Sequence, residues 1–217
     1  MQTFLLILHH ELLLSSRNLG KILANFLFFL ISVTIFLLLA QNQQNQSSTT
    51  FYSISIIWFS ALSCLIFSAA EFLKKDFDDG TIEQILNSCD NFEIFILAKM
   101  LANWLICALP ILISVFPISG AIGLNSESSA NFLILIFLAT LAINFICTFC
   151  GSLSVLGNSA PMIGVIALPL VIPILLLAYS GLDLETSASF KILAGLCIFI
   201  GSISVFATAK IVKIAAE

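Results

Sequence analysis

Apolar and polar residues are sorted along this chain on a scale far longer than a helical or strand period. Residues 22–70, 100–126, 128–182 and 192–209 contain no Asp, Glu, Lys, Arg or His, in runs of 49, 27, 55 and 18 residues. A helix crosses the hydrocarbon core of a bilayer with about 20 apolar residues. Six segments meet that length: 22–40, 51–70, 100–119, 132–156, 161–179 and 192–209. Polar breaks at 41–50, 71–93, 120–131, 157–160 and 180–189 separate them, and the break at 157–160 is short enough to predict a tight hairpin between the fourth and fifth spans. The pattern predicts an all-α polytopic membrane protein: an N-terminal helix over 1–21, a six-helix membrane domain over 22–213 and a short tail over 214–217.

Composition agrees and narrows the class. Hydrophobic residues make up 60% of the 217 and charged residues 9%, with a mean hydropathy of +1.13. An ordinary soluble domain carries about 25% charged residues. A net charge of −4 with eight basic residues leaves no electrostatic footprint for nucleic acid. Six cysteines in so apolar a chain do not form the pattern of a secreted disulfide scaffold. Residues 1–10 hold no Lys or Arg, so the basic segment of a signal peptide is absent from them. With the N-terminus inside, Arg17, Lys21, Lys74, Lys75, Lys99, Lys210 and Lys213 fall on or near the cytoplasmic side and only Lys191 outside. That bias predicts both termini inside.

Chemistry-bearing residues lie mostly outside the spans. In residues 1–18, His9, His10, Glu11 and Arg17 punctuate a run of Leu and Ile, predicting an amphipathic helix in the cytoplasmic interface. The paired histidines have no nearby partner ligand in sequence and read as that helix's polar side. Segment 71–93 holds nine of the twenty charged residues, seven of them acidic. Within it Thr81 and Gln84 fit a capping box, Gly80 permits a sharp turn, and Ile82, Ile85 and Leu86 recur at helical spacing. A short capped helix with an apolar face is expected there, either as part of a solvated loop or as a docking element for a cytoplasmic protein. Pro110, Pro169 and Pro173 lie inside spans, where each deletes a backbone donor and favours a kink. Cys147 and Cys150 stand one turn apart in the fourth span and read as packing residues. Ser53, Ser55, Ser60, Ser63 and Ser68 line the second span, which suits a close helix contact.

Several activities lack their residues. The sequence has no Gly-x-x-x-x-Gly-Lys-[Ser/Thr] phosphate loop. No span centre carries an ionisable group able to relay protons; Lys99, near a span end, is expected to snorkel toward the interface. A secondary transporter and a membrane enzyme are both disfavoured. What remains is a bundle whose energy arrives through the 71–93 loop.

Lys74-Lys-Asp-Phe-Asp-Asp-Gly-Thr-Ile-Glu-Gln-Ile85 resembles the signature of the CcmB family, haem exporter protein B of cytochrome c maturation, with Asp76, Asp79, Gly80, Thr81, Glu83 and Gln84 matching position by position. Leu97-Ala-Lys99, Trp104, Pro110, Leu168-Pro-Leu-Val-Ile-Pro173, Phe206-Ala-Thr-Ala209, Glu11 and Arg17 match as well. Two positions depart: Asn103 stands where a His is expected, and Ala108 where Gly is usual. The resemblance implies an ABC-2-type permease architecture in a bacterial inner membrane, or a mitochondrial one if the chain is organelle-encoded. It implies haem as the substrate transported or handled, no bound cofactor or metal, and ATP bound by a partner. The implied partners are a cytoplasmic ABC ATPase, other cytochrome c maturation membrane proteins, a periplasmic haem chaperone and a second copy of this chain. Asp76, Asp79, Gly80, Thr81, Ile82, Glu83, Gln84, Ile85 and Leu86 would form the coupling helix, its apolar face buried in the ATPase and its acids setting register. A transducer that releases haem-loaded chaperone without moving haem is the alternative, favoured by the lack of basic or ligating side chains within the spans; another ABC-2-type exporter permease is a further one.

Overall fold

A computed structural model describes residues 2–16, 19–40, 46–70, 72–88, 91–122, 126–157, 161–181 and 187–216. Among these residues the fold is nine helices and no strand. They are α1 (Gln2–Ser16), α2 (Leu19–Ala40), α3 (Gln46–Ala70), α4 (Lys74–Asp78), α5 (Thr81–Ser88), α6 (Phe92–Ala121), α7 (Ser126–Gly157), α8 (Pro161–Ser180) and α9 (Ser187–Ala216). Helices α2, α3, α6, α7, α8 and α9 are long and apolar enough to cross a membrane, and they contain the six expected spans. The protein is a multi-pass membrane protein. Arg17, residues 41–45, Glu71, Cys89, Asp90 and the short break at 158–160 lie outside the described residues.

The helices outrun their apolar windows. α6 begins at Phe92 rather than at 100, and α9 continues through Ala216, so most of the expected tail is helix. At 1.5 Å rise per residue a 30-residue helix is about 45 Å long, well over the ~30 Å apolar layer. Composition marks where the bilayer ends, whereas the hydrogen-bond ladder continues into polar ground. α6 and α8 also run on through Pro110, Pro117, Pro169 and Pro173. Pro161 is the first residue of α8, where its missing N–H costs no helical bond.

α7 is the centre of the bundle. It packs against α3, α6, α8 and α9, and Phe132, Leu135, Ile136, Ala139, Ala142 and Ile143 are fully buried along it. Cys147 and Cys150 are buried free thiols in the same core, so the packing reading suits both. α3 and α7 approach closely at Gly151, where a Cβ would overlap the Ala69 carbonyl oxygen. Ser53 and Ser60 are buried on α3, in keeping with the close contact expected of its serines. The outer surface carries Ile113, Phe116, Val165, Leu176, Ile198 and Phe199, the apolar exterior that lipid tails solvate.

A second core sits at one end of the bundle. Phe72, Leu73, Ile82, Phe92, Phe95, Ile96 and Met100 pack with Phe145, Val205, Ala209 and Val212, and Ile7, Phe77, Ile85 and Leu86 pack against them. This end core gathers α1, α4, α5, the start of α6 and the end of α9. Both ends of the chain therefore lie at the same end of the bundle, as an even number of crossings requires. α1 packs on α6 and exposes Leu5, Leu6, Leu13 and Leu14 beside His9 and His10. Its outer side is thus mixed rather than polar. The helix therefore lacks the separate polar and apolar faces of the amphipathic interfacial helix expected from the sequence.

Candidate functional site: a charged cap over a polar cavity

The loop after α3 folds into two short helices joined by one glycine turn. α4 closes with Asp79 N donating to Lys75 O at 2.9 Å and Gly80 N donating to Phe77 O at 3.1 Å. Gly80 then takes φ +67°, a left-handed conformation that a residue with a Cβ adopts only under strain. Thr81 follows as the first residue of α5, one position inside the helix relative to the N-cap predicted from sequence. Half-buried itself, it starts a helix whose two faces differ sharply.

The apolar face of α5 is already covered. Ile82 is 1% exposed within the end core, and Ile85 and Leu86 are half-buried against it. Expected as burial against a partner protein, these three residues instead pack α5 into the end core, where it meets α4 and α9. An amphipathic helix reports that something covers its apolar side, not which molecule does. The outward face is polar, with Glu83 and Gln84 exposed on α5, Asp78 and Asp79 exposed just before it, and Lys74 and Lys75 exposed on α4.

Asp76 departs from the expected role in another way. Its carboxylate turns inward to pair with the Lys99 ammonium, off the direction of a hydrogen bond. Lys99 Nζ also donates to Glu11 Oε2 at 3.0 Å. The lysine is 6% exposed and lies near the Phe95 ring, so it is a buried paired cation and does not snorkel. A buried ammonium is stable only with such partners. The triad joins α1, α4 and α6. Asp76 was legible as a motif residue, whereas Lys99 was read as a snorkelling lysine and not as its partner. The usable signal was a lone lysine at the edge of a long apolar run, with acids available at the same end.

Below the triad a cavity of about 750 Å³ opens between α2, α3 and α6. Glu11, Asp76 and Lys99 line its charged end, with the exposed Lys74, Lys75, Asp78 and Asp79 at its mouth, and Asn25, Cys64, Ser68, Asn103 and Cys107 line its interior. The interior polar groups are chained. Cys107 Sγ donates to Ser68 Oγ at 3.0 Å, and Ser68 Oγ donates to Asn103 Oδ1 at 2.7 Å. Asn103 Nδ2 donates to Asn144 Oδ1 at 2.9 Å, and Asn144 Nδ2 closes the chain on Met100 O at 3.0 Å. Asn103, the position that departs from the expected histidine, is thus the link between the cavity and α7. Trp104 faces away, with Nε1 donating to Thr140 Oγ1 at 3.3 Å. Pro110 lines the far end and withholds the donor that the Ile106 carbonyl would otherwise receive; Ile106 lines the cavity too. Of the proline positions expected to kink helices, Pro110 alone borders this cavity, while Pro169 and Pro173 are exposed on α8. Among the described residues no group of three or more His, Cys, Asp or Glu could hold a metal ion.

Fold and site together define an all-α multi-pass membrane protein with a charged cap over an internal polar cavity. Residues 2–215 match the model of the CcmB protein family, and the chain belongs to that family. Among its relatives, heme exporter protein B of Haemophilus influenzae is 28% identical over 221 residues, covering 99% of each chain. That of Pseudomonas aeruginosa is 28% identical over 217 residues, covering 97% of this chain and 96% of the relative. The Escherichia coli K12 protein of the same description is 26% identical over 213 residues, covering 95% and 96%.

Proposed function

We propose that this chain is the non-catalytic permease subunit of an ABC-type complex that exports or handles haem in c-type cytochrome biogenesis, with ATP hydrolysed by a separate cytoplasmic subunit. Relatives named as heme exporters and spanning the full length support the substrate. The observation that carries the coupling role is the mounting of α5: its apolar face is fixed in the end core while Asp78, Asp79, Glu83 and Gln84 face outward. A charged face on a rigid support gives a partner register and orientation. Asp79, Glu83 and Gln84 are the contact residues, Gly80 and Thr81 shape the turn, and Ile82, Ile85 and Leu86 hold the helix in place. The positive-inside bias supports a cytoplasmic cap and cytoplasmic termini, and the bacterial relatives support a bacterial inner membrane for the spans. Two copies of the chain would meet two ATPases, beside other cytochrome c maturation membrane proteins and a periplasmic haem chaperone.

One observation favours the transducer form of this reading. Glu11, Asp76, Asp78 and Asp79 outnumber Lys74, Lys75 and Lys99 along the cavity. Haem carries two carboxylates at neutral pH and gains no net attraction from such a lining. ATP-driven motion would then release loaded chaperone rather than move haem. Haem movement in vesicles holding the complex but no chaperone would reject that form.

The test of the partnership is affinity capture of tagged protein from gently solubilised membranes. Wild type is expected to bring down an ATP-binding subunit, and Glu83→Lys to lose it at unchanged abundance in the membrane. Wild type that captures no ATPase overturns the proposal.

A further inference from the structure

The cavity between α2, α3 and α6 is graded along its length in the order in which a membrane lipid is graded. Its mouth carries four exposed charges of both signs, Lys74, Lys75, Asp78 and Asp79. Among the described residues none of the four joins an ion pair. Next inward, Glu11 and Asp76 flank the single lysine Lys99, a cluster with one acid in excess. Deeper still come the neutral polar groups Asn25, Ser68, Asn103 and Cys107, among the apolar walls of Phe26, Ile106 and Ile111. From Lys99 to Ile111 the lining follows α6 for about 18 Å, at 1.5 Å per residue. It therefore passes from the charged end of the span well into the apolar layer. The cavity also reaches the outer surface of the bundle. Phe67 lines it and is 56% exposed, and Leu14, exposed as well, lines it beside the mouth. A hydrocarbon chain can leave past these side chains into lipid while its polar end stays inside.

We propose that this cavity binds a phospholipid whose headgroup carries a primary ammonium, such as phosphatidylethanolamine, taken from the leaflet on the cap's side. The phosphate meets Lys74 and Lys75, and the ammonium donates to Asp78 and Asp79 in charge-assisted hydrogen bonds. The glycerol esters are acceptors only and lie level with the Asn25 amide. A net-anionic headgroup meets an acidic excess in the lining, Glu11, Asp76, Asp78 and Asp79 against Lys74, Lys75 and Lys99. A quaternary ammonium has no N–H to give the aspartates. The volume of about 750 Å³ is that of a small-molecule site and suits the polar half of a lipid, with the chains outside. The site rests on the cavity itself and not on the coupling reading above.

The test uses the purified full-length chain in detergent micelles, with no ATPase present, so that coupling does not enter. Phosphatidylethanolamine bearing a photoactivatable diazirine near the start of one chain is crosslinked to it, and the labelled peptides are identified by mass spectrometry. Labels are expected to concentrate in residues 22–26, 64–70 and 102–111. Unlabelled phosphatidylethanolamine should compete about tenfold more effectively than phosphatidylglycerol or phosphatidylcholine, the worth of one charge-assisted hydrogen bond. Glycerophosphoethanolamine, the same headgroup without chains, should not compete at lipid concentrations. Asp78→Lys/Asp79→Lys changes only exposed side chains and is expected to turn the preference toward phosphatidylglycerol. Should that variant fail to accumulate, Lys74→Glu/Lys75→Glu is expected to lower labelling about tenfold by removing the phosphate's partners. Labels spread evenly around the bundle, or equal competition by the three lipids, would mean ordinary solvating lipid and overturn the proposal. Competition by the free headgroup overturns a lipid as the occupant. An unchanged preference in an accumulating charge variant overturns the headgroup assignment.

Discussion

Residues 99, 103 and 144 show how much one side chain can hold together in a membrane bundle. Lys99 closes a contact across 88 positions of sequence, and Asn144 joins α7 to both Asn103 and the Met100 carbonyl. In so apolar a setting, a group left without its partner pays its full desolvation, about 1–3 kcal/mol for a neutral one. Asn144→Leu strands the Asn103 Nδ2 donor and removes the second bond accepted by the Met100 carbonyl, which keeps its helical one. Its thermal midpoint in detergent is expected to fall clearly below wild type, and the loss should be smaller in an Asn103→Leu background, where one stranded partner is already gone. Equal losses in the two backgrounds would show that the Asn103–Asn144 bond contributes nothing. None of these pairings could be read from the sequence, because a hydrogen bond between helices depends on rotation and depth that the apolar pattern leaves open. What could be read was the anomaly itself, a lysine and two asparagines set among apolar neighbours.

At the scale of elements, the six spans were legible because a bilayer imposes its rule on composition directly. Their ends were not, since α6 and α9 carry their helical ladders past the apolar windows. The short helix α5 was legible too, through Gly80 and the spacing of Ile82, Ile85 and Leu86. Its orientation was not, because the apolar face is covered from within the same chain by residues more than 100 positions away, Val205 and Val212 among them. The two faces of α5 should therefore fail differently. Ile82→Asp puts a charge into the end core and removes a buried side chain. A loss of about 3–5 kcal/mol is expected, read as reduced abundance and increased protease cleavage near α5. Glu83→Lys alters only the exposed face and should leave both readouts at the wild-type level. If Ile82→Asp accumulates normally and loses only partner capture, then Ile82 meets the partner rather than the core.

For the whole molecule, an even number of crossings brings α1 and the end of α9 into one core, and the proposed orientation, drawn from the positive-inside bias, has that end in the cytoplasm. Protease-sensitive tags added to the two termini should both resist external protease in intact spheroplasts and both be cut after lysis. A cysteine introduced into the 41–50 segment should react with an impermeant maleimide from outside. Cleavage of either tag before lysis would invert or break the topology. The end core has a further consequence, for biogenesis. Ile82 emerges early from the ribosome, yet its pocket includes Val205, Ala209 and Val212 on the last helix. The cap stays unfinished until the chain is essentially complete and α9 has inserted. A truncated or stalled product would present α5 without its support, so under the proposed coupling role the chain becomes fit to meet its ATPase only once translation is nearly complete.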